Sequence, residues 1–151
     1  QGWQVHWVGA PHSMEARIAQ QNQLPFEVVD FSGVRGKGWA RLLRLPLQLL
    51  RALWQSWVIV RRVQPAVVVG MGGYISFPAG VAAWLCRVPI FLHEQNAIAG
   101  LSNRVLAHLA KCVFTAFPKV FAQGVWVGNP LREVFTHQAQ PSVRYADRTG
   151  C

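Results

Sequence analysis

One stretch, residues 66–80 with the sequence AVVVGMGGYISFPAG, constrains the fold more than any other. Val67, Val68 and Val69 have the length and composition of a buried parallel strand, and Gly70, Gly72 and Gly73 follow before a small-residue segment able to turn helical. The order is strand, glycine turn, helix start. Glycines there let the backbone take positive φ and leave its amides uncovered, so an anion or a sugar can approach the helix N-terminus. Tyr74 adds a ring and a hydroxyl at the same edge. Turn geometry alone also explains glycines at such a connection, so the rest of the chain has to decide between the two readings.

A chain of 151 residues with 52% hydrophobic content can bury a core as one domain. Its 15 Lys and Arg against 6 Asp and Glu give a net charge of +9, accompanied by seven Trp and eight Phe. Basic and aromatic together point to a negatively charged partner: an anionic membrane surface, a nucleic acid or a phosphorylated substrate. Cys86, Cys112 and Cys151 show no CxxC spacing and leave one thiol over, which favours a reducing, cytoplasmic setting over a disulfide scaffold.

Strand and helix patterns alternate on both sides of the glycine stretch. Residues 3–8 (WQVHWV) alternate as a strand, and Gly2 sits where a helix-to-strand turn would end, so an element ahead of it is expected. Ser13 caps a helix reaching about Gln21, and Pro25 leads into a strand over 26–31. His6 and His12 have no ligand spacing and read as ordinary core or surface histidines. Residues 32–38 (SGVRGKG) are a basic glycine loop, suited to a phosphate or simply to solvent.

From residue 39 to 63 the chain carries five arginines and no acid. Arg41, Arg44, Gln48, Arg51, Gln55 and Arg62 recur at helical spacings and form one stripe, while Leu42, Leu43, Leu49, Leu50, Leu53, Trp54 and Trp57 fill the rest. Pro46 is expected to divide this segment into a short lead and a main helix. No arginine-free run approaches the ~18–20 apolar residues that a bilayer span needs. Part of the apolar face must pack on a sheet; the excess of Trp and Leu supports an interfacial membrane contact in addition.

After the glycine turn, residues 75–85 read as a helix, and Pro89 leads into an apolar strand over 90–92 that ends in His93, Glu94, Gln95 and Asn96. A helix is expected over 97–109. In parallel α/β sheets ligands bind at the carboxyl ends of strands, where both this tetrad and the glycine turn fall. Glu94 directly follows a buried strand, which places it for general-base work or for holding His93 in one tautomer; capping of the next helix is the alternative task. An HExxH zinc site would need a histidine where Ala97 stands, and no other metal-ligand cluster is present. Strands over 111–117 and 125–127 follow, the second running into Gly128-Asn129-Pro130-Leu131-Arg132, where Arg132 can grip a phosphate or carboxylate. Residues 1–135 thus form the domain, and 136–151, polar and aperiodic, read as a linker toward a further lobe.

GMGGY at 70–74, LHEQNAIAGLSN at 92–103, SGVRGKG at 32–38 and VGNPLR at 127–132 together resemble the N-terminal lobe of the MurG family, the lipid I N-acetylglucosaminyltransferases of bacterial peptidoglycan synthesis. The motifs fall in the family's order over nearly the whole chain, and HEQN before a glycine-containing helix is far more specific than a lone glycine turn. The resemblance implies an α/β, Rossmann-like parallel sheet, the acceptor and membrane lobe of a GT-B glycosyltransferase. It implies transfer of N-acetylglucosamine from UDP-N-acetylglucosamine to lipid I, with inversion, at the cytoplasmic face of the inner membrane as a peripheral protein and without a cofactor. Other cell-wall synthesis proteins are partners such a lobe can have. By residue, Gly72, Gly73 and Tyr74 match a loop thought to hold the acceptor diphosphate. Asn96 and Arg132 match positions associated with the donor, with Gln95 beside them. His93 and Glu94 belong to the motif suspected of supplying the base or its support. The 42–62 helix, through Leu42, Leu49, Leu50, Arg51, Leu53 and Trp54, together with Trp84, resembles the membrane-resting region. The family's first strand and its GGTGGH loop do not match anything in this chain, nor does its second lobe, so the 151 residues alone are expected to be inactive and to bind the donor weakly.

Two other classes compete. A nucleic-acid module would use the +9 charge, but the arginines interleave with leucine and tryptophan and no nucleic-acid signature is present. A non-catalytic membrane-docking domain would use the 42–62 helix alone.

Overall fold

Strands and helices alternate along the chain in the order β1 (Trp7–Gly9), α1 (Met14–Gln21), β2 (Phe26–Val28), α2 (Trp39–Val63), β3 (Val68–Gly70), α3 (Ser76–Leu85), β4 (Ile90–Glu94), α4 (Leu101–Leu106), β5 (Cys112–Thr115) and β6 (Val125–Trp126). The computed structural model describes residues 2–31 and 39–130, and within α2 the side chains from residue 45 onward. Every strand pair is parallel, as connection through helices requires: β1 with β2 in one sheet, and β3-β4-β5-β6 in the other. In a doubly wound sheet of order 3-2-1-4-5-6 the first strand lies between the second and the fourth. A Rossmann-like sheet without its first strand therefore divides into a pair and a four-stranded piece, which is the division seen here.

Each sheet has its own core. Val29, Phe31 and Ala52 are buried together between the β1-β2 sheet and α2, with Val8, Leu45, Leu49, Ile59 and Ile75 packed around them. Under α3 and α4 the second core joins Ala83, Ile90, Leu92, Leu106 and Val113. Side chains alternate across a strand, so Ile90 and Leu92, which face this core, put Glu94 on the same face and Phe91 and His93 on the other. Close approach of α3 to α4 depends on Gly80, where a Cβ would stand 2.7 Å from a Leu106 methyl carbon.

Several boundaries differ from those read in the sequence. The first two strands are shorter than the alternating runs, covering three residues each. Pro46 does not divide α2, which runs unbroken from Trp39 to Val63 with the proline inside. A proline removes one hydrogen bond and crowds one carbonyl, and the turns that follow are held by packing on α3 and the first core. The helix expected from Ala97 begins only at Leu101, because residues 96–100 form a loop tied to Glu94. The basic loop 32–38, Arg132, Leu42, Cys151 and the linker 136–151 lie outside the described residues or side chains.

Candidate functional site

Parallel strands bring their carboxyl ends to one edge, and the polar residues of this chain gather there. The turn after β3 contains Gly72 and Gly73 at φ 87° and 82°, a left-handed conformation that strains any residue with a Cβ. Ser76, the first residue of α3, donates its hydroxyl to the Gly73 carbonyl at 2.7 Å. No side chain caps α3: Ile75 holds the cap position with helical φ and ψ and makes no side-chain bond. The first turn of this ten-residue helix, at the positive end of its dipole, thus has no side-chain cap, and its Ser76 and Phe77 carry N–H groups while Pro78 carries none. Tyr74 is half exposed next to them, its ring 6.0 Å from that of Phe31.

One strand over, Glu94 is 2% exposed and accepts four hydrogen bonds. Its Oε1 takes the Asn96 amide N–H at 3.0 Å and the Asn96 Nδ2 at 2.9 Å; its Oε2 takes the Gly100 N–H at 3.1 Å and the Asn103 Nδ2 at 2.9 Å. Burial works to raise the Glu94 pKa, but the bonds from the Asn96 N–H, the Asn103 and Asn96 side chains and the Gly100 N–H outweigh it. The carboxyl is held below its ordinary value of 4.5. An anion with both oxygens engaged and a lowered pKa is well suited to holding a loop and poorly suited to taking a proton. Nor does Glu94 orient His93. That imidazole, on the other face of β4, places Nε2 3.0 Å from the Gly128 carbonyl. A carbonyl only accepts, so Nε2 carries a proton, and Nδ1 is buried without a partner among the described residues. Gly128, at φ 81°, starts the turn after β6, so His93 ties the ends of β4 and β6 together.

Of the residues singled out in the sequence, Gly72, Gly73, Tyr74, His93, Glu94, Gln95 and Asn96 share this edge. Asn103 escaped sequence reasoning. It is 1% exposed, bonds Glu94, and lies under Gly72, whose Cβ, if present, would stand 3.4 Å from Asn103 Nδ2 and 3.6 Å from Gln95 Oε1. The available signal was spacing: Asn103 precedes the buried Leu106 by three, which puts an amide on the core face of α4.

The second feature is α2. Leu47, Leu50, Trp54 and Val58, at spacings of three and four, form an exposed apolar row, with Leu50 and Trp54 each 64% exposed; Trp84 on α3 is 51% exposed. Leu53 is half-buried, and Leu49 turns inward to the first core instead of standing on this row. Arg51 pairs with Asp30 at 3.7 Å, Arg62 pairs with Glu27, and Gln55 accepts from the Asp30 N–H at 2.8 Å, so part of the polar stripe faces β2. Among the described residues no helix is long and apolar enough to cross a membrane.

Comparison with known proteins agrees with this layout. Residues 1–115 match the glycosyltransferase family 28 N-terminal domain. The chain is 60% identical over 149 residues to the UDP-N-acetylglucosamine--N-acetylmuramyl-(pentapeptide) pyrophosphoryl-undecaprenol N-acetylglucosamine transferase of Paracidovorax citrulli, covering 99% of this chain and 42% of that protein. A Verminephrobacter eiseniae protein of the same description is 60% identical over 153 residues, with 99% and 43% covered. The crystal structure of Acinetobacter baumannii MurG superposes with a TM-score of 0.71 at 36% identity, over 83% of this chain and 37% of that one. The chain thus spans about two fifths of the length of these relatives.

Proposed function

The chain belongs to glycosyltransferase family 28, and on that footing we propose that it forms the acceptor lobe of an enzyme transferring N-acetylglucosamine from UDP-N-acetylglucosamine to lipid I, yielding lipid II. One observation carries this reading: the uncapped N-terminus of α3, opening directly behind two left-handed glycines and beside the polar end of β4. Lipid I carries a diphosphate, and backbone amides at the positive end of a helix receive such an anion without a metal. Gly72 and Gly73 leave the approach clear of Cβ atoms, and Tyr74 offers a hydroxyl at its rim. Asn96 is exposed next to it, its Nδ2 held by Glu94, which leaves Oδ1 turned to accept from a donor-sugar hydroxyl; Arg132 would serve the same donor. With Glu94 engaged by four donors, His93 at the end of β4 would act as the base of this lobe or as its support. The α2 row Leu47, Leu50, Trp54 and Val58, with Trp84, would rest on an anionic bilayer as a peripheral contact at the cytoplasmic face, keeping the lipid-borne acceptor near the turn.

The test is transfer of labelled N-acetylglucosamine to a lipid I analogue by the full-length protein, beside the 151-residue chain alone. Turnover by the full-length protein, and none by the chain, is expected. No turnover by the full-length protein, together with vesicle binding that survives changes at Tyr74 and Asn96, would leave a membrane-docking domain as the function.

A further inference from the structure

Glu94, Asn103 and Gly72 come from three different parts of the chain and meet at one point. Asn103 reaches down from α4, Glu94 stands at the end of β4, and Gly72 lies in the turn after β3. Glu94 as a carboxylate only accepts, so the Asn103 amide has a single possible orientation: Nδ2 toward Glu94 and Oδ1 away from it. Oδ1 is buried with no partner among the described residues, an arrangement retained at some expense in free energy. The same amide lies beneath Gly72, whose Cβ, if present, would meet Asn103 Nδ2 in ordinary van der Waals contact at 3.4 Å. On the other side Glu94 fixes residues 96–100 through the Asn96 and Gly100 amides. Two loops with no hydrogen bond between them are therefore set relative to each other through a shared buried pair.

We infer that Glu94 and Asn103 are positioning residues, a buried carboxylate–amide pair that sets the distance between the Gly72–Gly73 turn and the His93–Asn96 strand end. Neither touches substrate. Glu94 holds the loop that presents Asn96, and Asn103 transmits that placement to Gly72. This inference rests on the acceptor site proposed above, and it assigns Glu94 a task other than proton transfer. Loss of either partner lets the turn and the strand end shift independently, and misplacement by about 1 Å weakens a site on the order of a hundredfold.

The experiment uses the full-length protein with Glu94→Gln, Asn103→Ala and the double variant. Transfer to a lipid I analogue is measured as kcat, acceptor KM and a pH–rate profile, and backbone hydrogen exchange is followed at Asn96 and Gly100. Each single variant is expected to raise acceptor KM by at least about tenfold, with kcat changed less and both limbs of the pH profile kept. The double variant should lose no more than the worse single one, because the two residues act as a unit. A fall in kcat of about a hundredfold or more in Glu94→Gln, at unchanged KM and with the base limb gone, would overturn the inference and make Glu94 the base. Additive losses in the double variant would overturn it too. Exchange at Asn96 and Gly100 is expected to speed up in Glu94→Gln, and unchanged exchange counts against the inference. This arm needs no turnover, so it decides the matter even where the wild-type protein fails to transfer sugar and the functional reading falls. Should Asn103→Ala not fold, Glu94→Gln carries the same KM test from the other partner of the pair.

Discussion

Replacing Glu94 by Gln leaves one acceptor and introduces a donor where four N–H groups converge. Gly100 N–H and Asn103 Nδ2 lie on the inner side, and the latter is buried, so the glutamine oxygen turns to them and its NH2 faces the two Asn96 donors. Asn96 is exposed, and water relieves part of that loss, leaving about 1 kcal/mol for each unsatisfied donor, the low end of the usual range. The two bonds that persist change from charge-assisted to neutral, a loss of roughly 0.5–1 kcal/mol each. The sum is about 3 kcal/mol, which for a chain of this size lowers Tm by about 6–12 °C. Thermal unfolding followed by near-UV dichroism of the tryptophans measures it. The pH dependence carries the sign. The native carboxyl has a pKa below its ordinary value of 4.5, so its stabilisation is fully present above that value and is lost as pH falls through the lowered native value. Wild type and variant should differ most near neutrality, and the gap should narrow as pH falls through the lowered native value. A Tm difference under about 1 °C at pH 7, or a gap that does not narrow as the solution is acidified, would refute the claim that these four bonds are made to a charged Glu94.

Two further expectations concern α2. Proline in a helix interior is unfavourable by about 3 kcal/mol, and Pro46 is exposed inside a continuous helix, so Pro46→Ala should stabilise by about 1–3 kcal/mol in urea unfolding once the looser unfolded chain is counted; a lower midpoint would mean that the helix is not continuous there. Glu substitution of both Leu50 and Trp54, which stand on the exposed row, should reduce co-sedimentation with phosphatidylglycerol vesicles at least about tenfold without lowering Tm, whereas Leu49→Ala should lower stability by about 2 kcal/mol and leave vesicle binding alone; the reverse pattern would place the membrane face on the wrong side of α2.

The α2 contrast also shows where sequence reading stops. Leu49 and Leu50 are adjacent leucines in a helix whose apolar residues cover far more than one stripe, so periodicity alone does not say which of them meets β2. What decides it is the sheet: Val29 and Phe31 supply the apolar surface for Leu49, and Asp30 and Glu27 draw Arg51 and Arg62 to the neighbouring side. That leaves Leu47, Leu50, Trp54 and Val58 exposed among the described residues. Strand and helix order, by contrast, was legible throughout, because short apolar runs followed by glycine or proline have few alternatives in a parallel sheet. Only the limits of the elements moved: β1 and β2 are shorter than the alternating runs, Pro46 lies inside α2, and the helix expected from Ala97 begins at Leu101.

Glu94 shows the same limit in the chemistry. From the sequence it is an acid at the end of a buried strand, which suits a base as well as a structural anion. Parity separates the two. Ile90 and Leu92 point into the core, and with a period of two Glu94 has to follow them, away from the open edge and toward α4. An unpaired carboxylate there would be prohibitive, so a buried strand of this register demands donors from the next segment, and Asn96, Gly100 and Asn103 supply them. The loop that delays α4 to Leu101 is the consequence, since a helix starting at Ala97 would commit to its own ladder the backbone that now bends around the carboxylate. His93, of opposite parity, escapes that demand and bonds the Gly128 carbonyl instead. Within HEQN, therefore, the alternation of a single strand turns the histidine to the opposite face, toward Gly128, and the glutamate to the loop that it holds.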